Sequence, residues 1–406
     1  MHINSTADEA VILHRIRRQV QMNMPTLKIG SHVCTLPIIQ GGMGVGISLS
    51  GLSSAVANEG GIGVIAAAMP GIHEPNIATD PNRANIRVLK REIRKARHQM
   101  NGGVLGVNIM VALTNFGDMV RTSIDEGVDI IFAGAGLPLD LPGYLSNGSK
   151  TSLVPIVSSG RAAMLLCKKW LSRFDYLPDG FVVEGPKAGG HIGFKSEQIE
   201  DPAFSLEHLV TDVIDAVKPF EEKRSTRIPV ISAGGIYTGR DIRRFLELGA
   251  AGVQMGTRFV ATHECDADEA FKQVYVESKK EDMVIIKSPV GLPGRAVQNS
   301  FLEEVREGKR KPFKCPYHCI KTCNRETSPY CIAIALGNAR RGKFNRGFAF
   351  AGKNAYRVEE IVSVKELMES LKEEYVAALE GKADMAYAAP AVRPKSKYSM
   401  AARAVG

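Results

Sequence analysis

No apolar run in this 406-residue chain reaches the roughly 18 residues that a membrane-spanning helix needs. Met1–Met22 is polar and charged, without the apolar core of a secretory signal peptide. The seven cysteines do not follow the pattern of a small disulfide-stapled domain. Cys34, Cys167 and Cys265 lie far apart, and the other four crowd into Cys315–Cys331. These absences argue against a membrane protein or a secreted scaffold, and a reducing cytoplasm is the expected location. A concentrated basic tract is missing too, although the formal net charge is +9. The densest groups, Arg91–Arg97, Glu307–Lys314 and Arg340–Arg346, alternate with apolar or acidic residues. They read as solvated helix faces with a general attraction for anionic ligands, not as a nucleic-acid surface. The expected partner is a small molecule, and the oligomeric state is left open.

What is present suits a folded enzyme. Hydrophobic residues make up 44% of the chain, enough for a sizeable core, and several of the forty glycines sit just past apolar runs. Eight such runs recur: Pro37–Gln40, Gly63–Ala67, Leu105–Val111, Val128–Ala133, Val154–Val157, Phe181–Val183, Pro229–Ser232 and Gly252–Met255. Most are continuous rather than alternating, as in strands buried on both faces of a parallel sheet. Helical spacing falls between them at Ser50–Asn58, Ile86–His98, Asn115–Glu126, Arg161–Trp170, Leu206–Val217 and Gly239–Leu248. Thr238 and Ser205 are candidate N-caps. Eight alternations predict an α/β fold of TIM (β/α)8 type, whereas a doubly wound sheet more often has five or six strands.

Past Glu264 the pattern changes to Gly/Pro punctuation, basic groups and the Gly/Phe-rich Gly347–Gly352. Val358–Leu379 reads as one or two helices, with the capping-box sequence Ser363-Val364-Lys365-Glu366 inside it. The expected organisation is a barrel over residues 25–282, a lid and cysteine-rich helical extension over 283–380, and a flexible tail over 381–406.

Barrel enzymes keep their chemistry at the C-terminal strand ends and often grip a phosphate after strands seven and eight. Those ends read Ser232-Ala233-Gly234-Gly235-Ile236 and Gln254-Met255-Gly256-Thr257, glycine-rich turns whose backbone N–H groups can converge on an anion. The end of strand one, Gln40-Gly41-Gly42-Met43-Gly44, offers nearly bare backbone to a flat ring, and Asn108 follows on strand three. After strand six comes Glu184-Gly185-Pro186-Lys187-Ala188-Gly189-Gly190-His191-Ile192-Gly193. A histidine among glycines has little packing around it and titrates near neutrality, so His191 is the candidate acid/base.

Together these segments, with Pro37-Ile38-Ile39-Gln40-Gly41-Gly42-Met43 at their head, resemble the nitronate monooxygenase family, which includes flavin-type enoyl-acyl-carrier-protein reductases. The likeness covers most of residues 25–305, including Ser288 and Gly294-Arg295-Ala296. It implies an FMN-dependent barrel with His191 as catalytic acid/base. Gly42, Met43, Gly44, Asn108, Gly190, Gly234, Gly235, Gln254, Met255, Gly256 and Thr257 would line the flavin. One position departs from the family, which commonly has an acid just before the Ala/Ser-Gly-Gly-His segment where this chain has Lys187.

The Cys315, Cys319, Cys323 and Cys331 cluster is a further candidate. Four thiols this dense suggest an iron–sulfur or zinc centre, buried thiols shaping a lid, or redox-active pairs. A straight helix would spread the first three over about 12 Å, so a metal centre requires a bent segment. Three functions are therefore expected candidates. The first is FMN-dependent oxidation of alkyl nitronates, the second an NAD(P)H-dependent reduction of an activated double bond. The third, a binding module without turnover, leaves the glycine-flanked His191 without a use. The segment 283–354 is expected to cover the open face of the flavin.

Overall fold

A computed structural model describes residues 24–310, 315–324 and 326–381; the anticipated tail beyond Gly381 and the segment Met1–Met22 lie outside them. A short antiparallel hairpin, β1 (Leu27–Ile29) and β2 (His32–Cys34), precedes the main sheet. That sheet is a closed, all-parallel barrel of β3 (Ile38–Gln40), β4 (Ile62–Ala66), β5 (Val104–Met110), β6 (Ile130–Gly134), β7 (Ser152–Val157), β8 (Phe181–Glu184), β10 (Val230–Ala233) and β11 (Gly252–Met255). The intervening β9 (Gly190–His191) belongs to a separate three-stranded sheet with β12 (Met283–Lys287) and β13 (Pro293–Val297). Helices α1 (Ser50–Asn58), α2 (Pro81–Gln99), α3 (Phe116–Asp125), α4 (Gly160–Phe174), α5 (Leu206–Arg224) and α6 (Gly239–Glu247) alternate with the barrel strands. The fold is a TIM barrel, and each of the eight apolar runs overlaps one of its strands, most with ends shifted by one or two residues.

The strands are apolar throughout because both faces are covered. Ile39, Ile62, Val64, Ile130, Phe132, Val154, Val182 and Ile231 fill the interior. Neighbours on the same strands, such as Ile38, Ile65, Leu105, Val107 and Ile131, pack outward with the helices. Leu27 and Ile29 of the hairpin join the interior cluster and close the end where the strands begin. This hairpin escaped the sequence reading, because its three-residue strands are too short to show a period.

Helix boundaries differ at a few ends. α2 starts earlier than its apolar positions suggest because the Asp80 carboxylate accepts from the Arg83 N–H and Pro81 opens the helix. α5 continues beyond Val217 through Pro219, and Phe220 packs against the core before the charged end Glu221–Arg224. Thr238 caps α6 in a full capping box, whereas Ser205 occupies its N-cap without a side-chain bond. The basic run Arg91–Arg97 lies on α2, where Arg91, Arg94 and Arg97 pair with Glu74, Glu126 and Asp129.

Beyond the barrel come α7 (Thr257–Val260), α8 (Glu269–Glu277), α9 (Ser300–Arg306), α10 (Ile332–Arg340) and α11 (Val364–Leu379). Ser363 is the N-cap of α11, so the capping box starts that helix instead of lying within it. α11 packs on α6 so closely that a Cβ on Gly239 would lie 2.3 Å from the Leu371 carbonyl oxygen. Phe301, Leu302, Tyr330, Ile332 and Phe348 form a second small core with Val290 and Ala296 of the 283–354 segment. That segment is therefore a packed unit, joined to the barrel's C-terminal face where β13 pairs with β9 at Gly294–His191.

Candidate active site

A cavity of about 620 Å³ opens at the C-terminal ends of the barrel strands. Its floor begins with the Gln40–Ser48 turn. Gln40 is fully buried, accepts from the Val64 N–H at 2.9 Å and donates to the Gly41 carbonyl, which fixes where the following glycines run. Gly42 must lack a side chain, since a Cβ there would lie 2.3 Å from the Asn108 Cβ. Across the barrel, Gly234 and Gly235 both have φ of +96°, a left-handed turn that any Cβ would strain. Gly256 and Thr257 lie beside them on the next loop.

His191 sits on β9, above this floor. Its Nε2 is 2.7 Å from the hydroxyl of Ser288, which is only 3% exposed and also accepts from the Val290 N–H at 3.4 Å. Phe350 meets the imidazole edge-on, with ring centroids 5.0 Å apart. The sequence suggested a histidine with little around it, but strand pairing and these two contacts hold the ring. Burial pushes its pKa down to about 4, so the ring is neutral at physiological pH. Burial also raises Glu184, at the end of β8, to about 7. One wall thus carries a neutral imidazole and a carboxyl that titrates near neutrality.

All twelve residues singled out for catalysis or flavin contact line this one cavity: His191, Gly42, Met43, Gly44, Asn108, Gly190, Gly234, Gly235, Gln254, Met255, Gly256 and Thr257. Residues 290–354 supply the opposite wall through Val290, Leu292, Ile320, Ile332, Leu336 and Phe350.

Residues 26–374 match the family described as nitronate monooxygenase. The chain belongs to the nitronate monooxygenase family. Membership makes it an oxidoreductase. It is 29% identical over 274 residues to the (3aS,4S,5R,7aS)-5-hydroxy-7a-methyl-1-oxo-octahydro-1H-indene-4-carboxyl-CoA dehydrogenase of Mycobacterium tuberculosis, with 68% of this chain and 66% of that protein covered. A probable nitronate monooxygenase of Staphylococcus aureus is 27% identical over 314 residues, covering 67% of this chain and 78% of the relative. Among solved structures, FabK from Thermotoga maritima superposes with a TM-score of 0.64 at 28% identity, covering 90% of this chain and 97% of that one.

Of the three readings left open for the four cysteines, the structure favours buried thiols. Among the described residues, no group of three or more His, Cys, Asp or Glu side chains is placed to hold a metal ion. Cys319 and Cys331 instead pack with Tyr317 against Val45, Met69, Ile72 and Ala333. Cys323 lies 3.8 Å from the Ser328 hydroxyl, and Cys331 is the N-cap residue of α10. Burial pushes the Cys319 thiol up to about 12, with the nearby Cys331 and Cys315 adding to the shift. Only Cys319 of the four reaches the cavity wall. Spacing showed the density of thiols but not the apolar cluster that absorbs them.

Several lining residues carried a weaker sequence signal. Glu184 is an acid closing an otherwise apolar strand at the catalytic end of a barrel, which by itself marks it. Met69 and Ala135, at φ of 50° and 54°, hold left-handed backbone on the cavity wall that no motif announces.

Proposed function

We propose that this protein is an FMN-dependent oxidoreductase that oxidises alkyl nitronates. The observation that carries the reading is His191, neutral, held by Ser288 and set over a cavity floored by glycine backbone. The residues present fit FMN. Bare backbone at Gly42 and Gly44 suits a flat ring, Asn108 supplies a polar edge, and the Gly234-Gly235 turn with Gly256 and Thr257 suits a phosphate. When bound, the flavin supplies the electron-accepting and electron-donating chemistry.

The chain's own contribution is proton handling and enclosure. In the tautomer that donates Nε2–H to the Ser288 oxygen, His191 leaves Nδ1 as a base able to take the carbon-bound proton of a neutral nitroalkane, giving the nitronate that is oxidised. Its low pKa ensures that this lone pair is free rather than protonated near neutral pH. Phe350, Leu292 and Ile320 narrow the opening and exclude water from the reacting carbon.

A second reading, NAD(P)H-dependent reduction of an activated double bond, is favoured by one feature. The wall of Met110, Leu113, Leu292, Ile320 and Leu336 is broader than a short nitroalkane needs. Anaerobic mixing of the purified protein with an alkyl nitronate, NADH or NADPH separates the two, with flavin bleaching followed by absorbance. Rapid bleaching by the nitronate alone supports the proposal, and rapid bleaching by either nicotinamide overturns it in favour of the reductase. A protein that releases FAD, or no flavin, on denaturation overturns both.

A further inference from the structure

The glycine turn at Gly234-Gly235 lies in a field of uncompensated positive charge, and its source is the residue that departs from the family pattern. Lys187 is exposed, lines the cavity and lays its stem over Gly235, where a Cβ would be 2.8 Å from the Lys187 Cβ and 3.0 Å from its Cδ. The backbone on both sides of it is fixed. Arg295, 2% exposed, donates to the Pro186 carbonyl at 2.8 Å and the Ala188 carbonyl at 2.7 Å. The Lys353 N–H donates to the Lys187 carbonyl at 3.0 Å.

Glu200 is the carboxylate paired with one of these cations, at 2.5 Å from the Lys353 Nζ. The hydrogen bond from Lys353 holds Glu200 below the usual carboxylate range, assisted by the charges of Lys353, Arg295 and Lys187. Lys187 itself has no ion-pair partner among the described residues. Three cations against Glu200 and the partly ionised Glu184 still leave a positive surplus, and a phosphate monoester carries about −1.5 to −2 at neutral pH.

We propose that Lys187 is a phosphate-binding residue, and that its charge favours a phosphorylated flavin over riboflavin. The inference rests on the flavin reading above. Direct hydrogen bonding from an ammonium to a dianionic phosphate distinguishes this site from one built on glycine backbone alone.

The test titrates apoprotein with FMN and with riboflavin, which lacks the phosphate, and follows flavin fluorescence at low and high salt. Lys187→Gln is expected to weaken FMN binding about ten- to hundredfold. Riboflavin affinity should change by less than about twofold, the salt dependence for FMN should become shallower, and Lys187→Arg should restore most of the loss. Unchanged FMN affinity in Lys187→Gln overturns the proposal. Equal losses for both flavins also overturn it, because they indicate a role in shaping the 186–190 loop. Intact FMN affinity with weaker use of NADPH than of NADH assigns the charge to a second nucleotide's phosphate, and that too overturns it. A wild-type protein that binds neither flavin refutes the underlying cofactor reading, a distinct outcome.

Discussion

Removing the Ser288 hydroxyl is the sharpest test of how the imidazole is held. In the wild type, Oγ lies 2.7 Å from His191 Nε2, and Ser288 is almost wholly buried, so water does not readily replace the hydroxyl in Ser288→Ala. A ring nitrogen left unpaired in such surroundings costs about 1–3 kcal/mol. If the orienting role is correct, this cost falls on the state in which Nδ1 carries the transferred proton, since the imidazolium then has no acceptor for its Nε2–H. The midpoint, about 2 kcal/mol, corresponds to a loss of roughly 30-fold in kcat/KM. The assay is the rate of flavin bleaching by a neutral nitroalkane, whose carbon still carries the proton, with flavin content measured on the same sample. FMN content should stay at the wild-type level, because Ser288 touches the histidine and not the glycine floor. Ser288→Thr keeps the hydroxyl and should recover most of the rate. A Ser288→Ala enzyme within about twofold of wild type, fully loaded with flavin, would refute the positioning role.

Further expectations concern stability and loading. His191 has a folded pKa of about 4, below its ordinary value of 6.5, so the unfolded chain binds more protons between those values. Stability is therefore present above pH 6.5 and lost as pH falls toward 4, by up to about 3 kcal/mol. Denaturant midpoints of the apoprotein should fall across that window, and His191→Gln should flatten the fall. Glu184 acts in the opposite sense: raised to about 7, its contribution is present below pH 4.5 and lost as pH rises through 7. Glu184→Gln should remove that loss, and a midpoint curve unchanged by the substitution refutes the buried-acid assignment. Gly42→Ala forces a Cβ to within 2.3 Å of the Asn108 Cβ, so the variant should lose flavin on gel filtration and about 1–3 kcal/mol of stability. Asp266 accepts from the Leu49, Gly51 and Leu52 N–H groups at 2.7, 3.0 and 3.2 Å, holding the start of α1 behind the Gly42 turn. Asp266→Asn should lower stability by about 2 kcal/mol in chemical denaturation; no change would deny that clamp its role.

Much of this protein is written in short-range pattern. Buried parallel strands need continuous apolar runs, and helices on the outside need a three-to-four period, so the order of the barrel was legible residue by residue. Glycines at strand ends marked the cavity floor for the same reason, because a backbone that must approach another group closely cannot carry a Cβ. Thr238 announced a helix start through local capping chemistry alone, whereas the Ser363 box was read inside the helix that it starts. Tertiary structure decided everything that depended on residues distant in sequence. His191 reads as a bare histidine until β13 pairs with β9 and brings Ser288, 97 positions away, to its Nε2. The cysteines leave a metal centre, buried thiols and redox pairs open until the chain packs two of them into an apolar cluster with residues near position 70. Lys187 is one exposed lysine in the sequence, and only folding sets Arg295, Lys353 and Glu200 around it. Periodicity and capping act over a few residues, whereas electrostatic surplus and burial are sums over the whole fold, and no local pattern contains them.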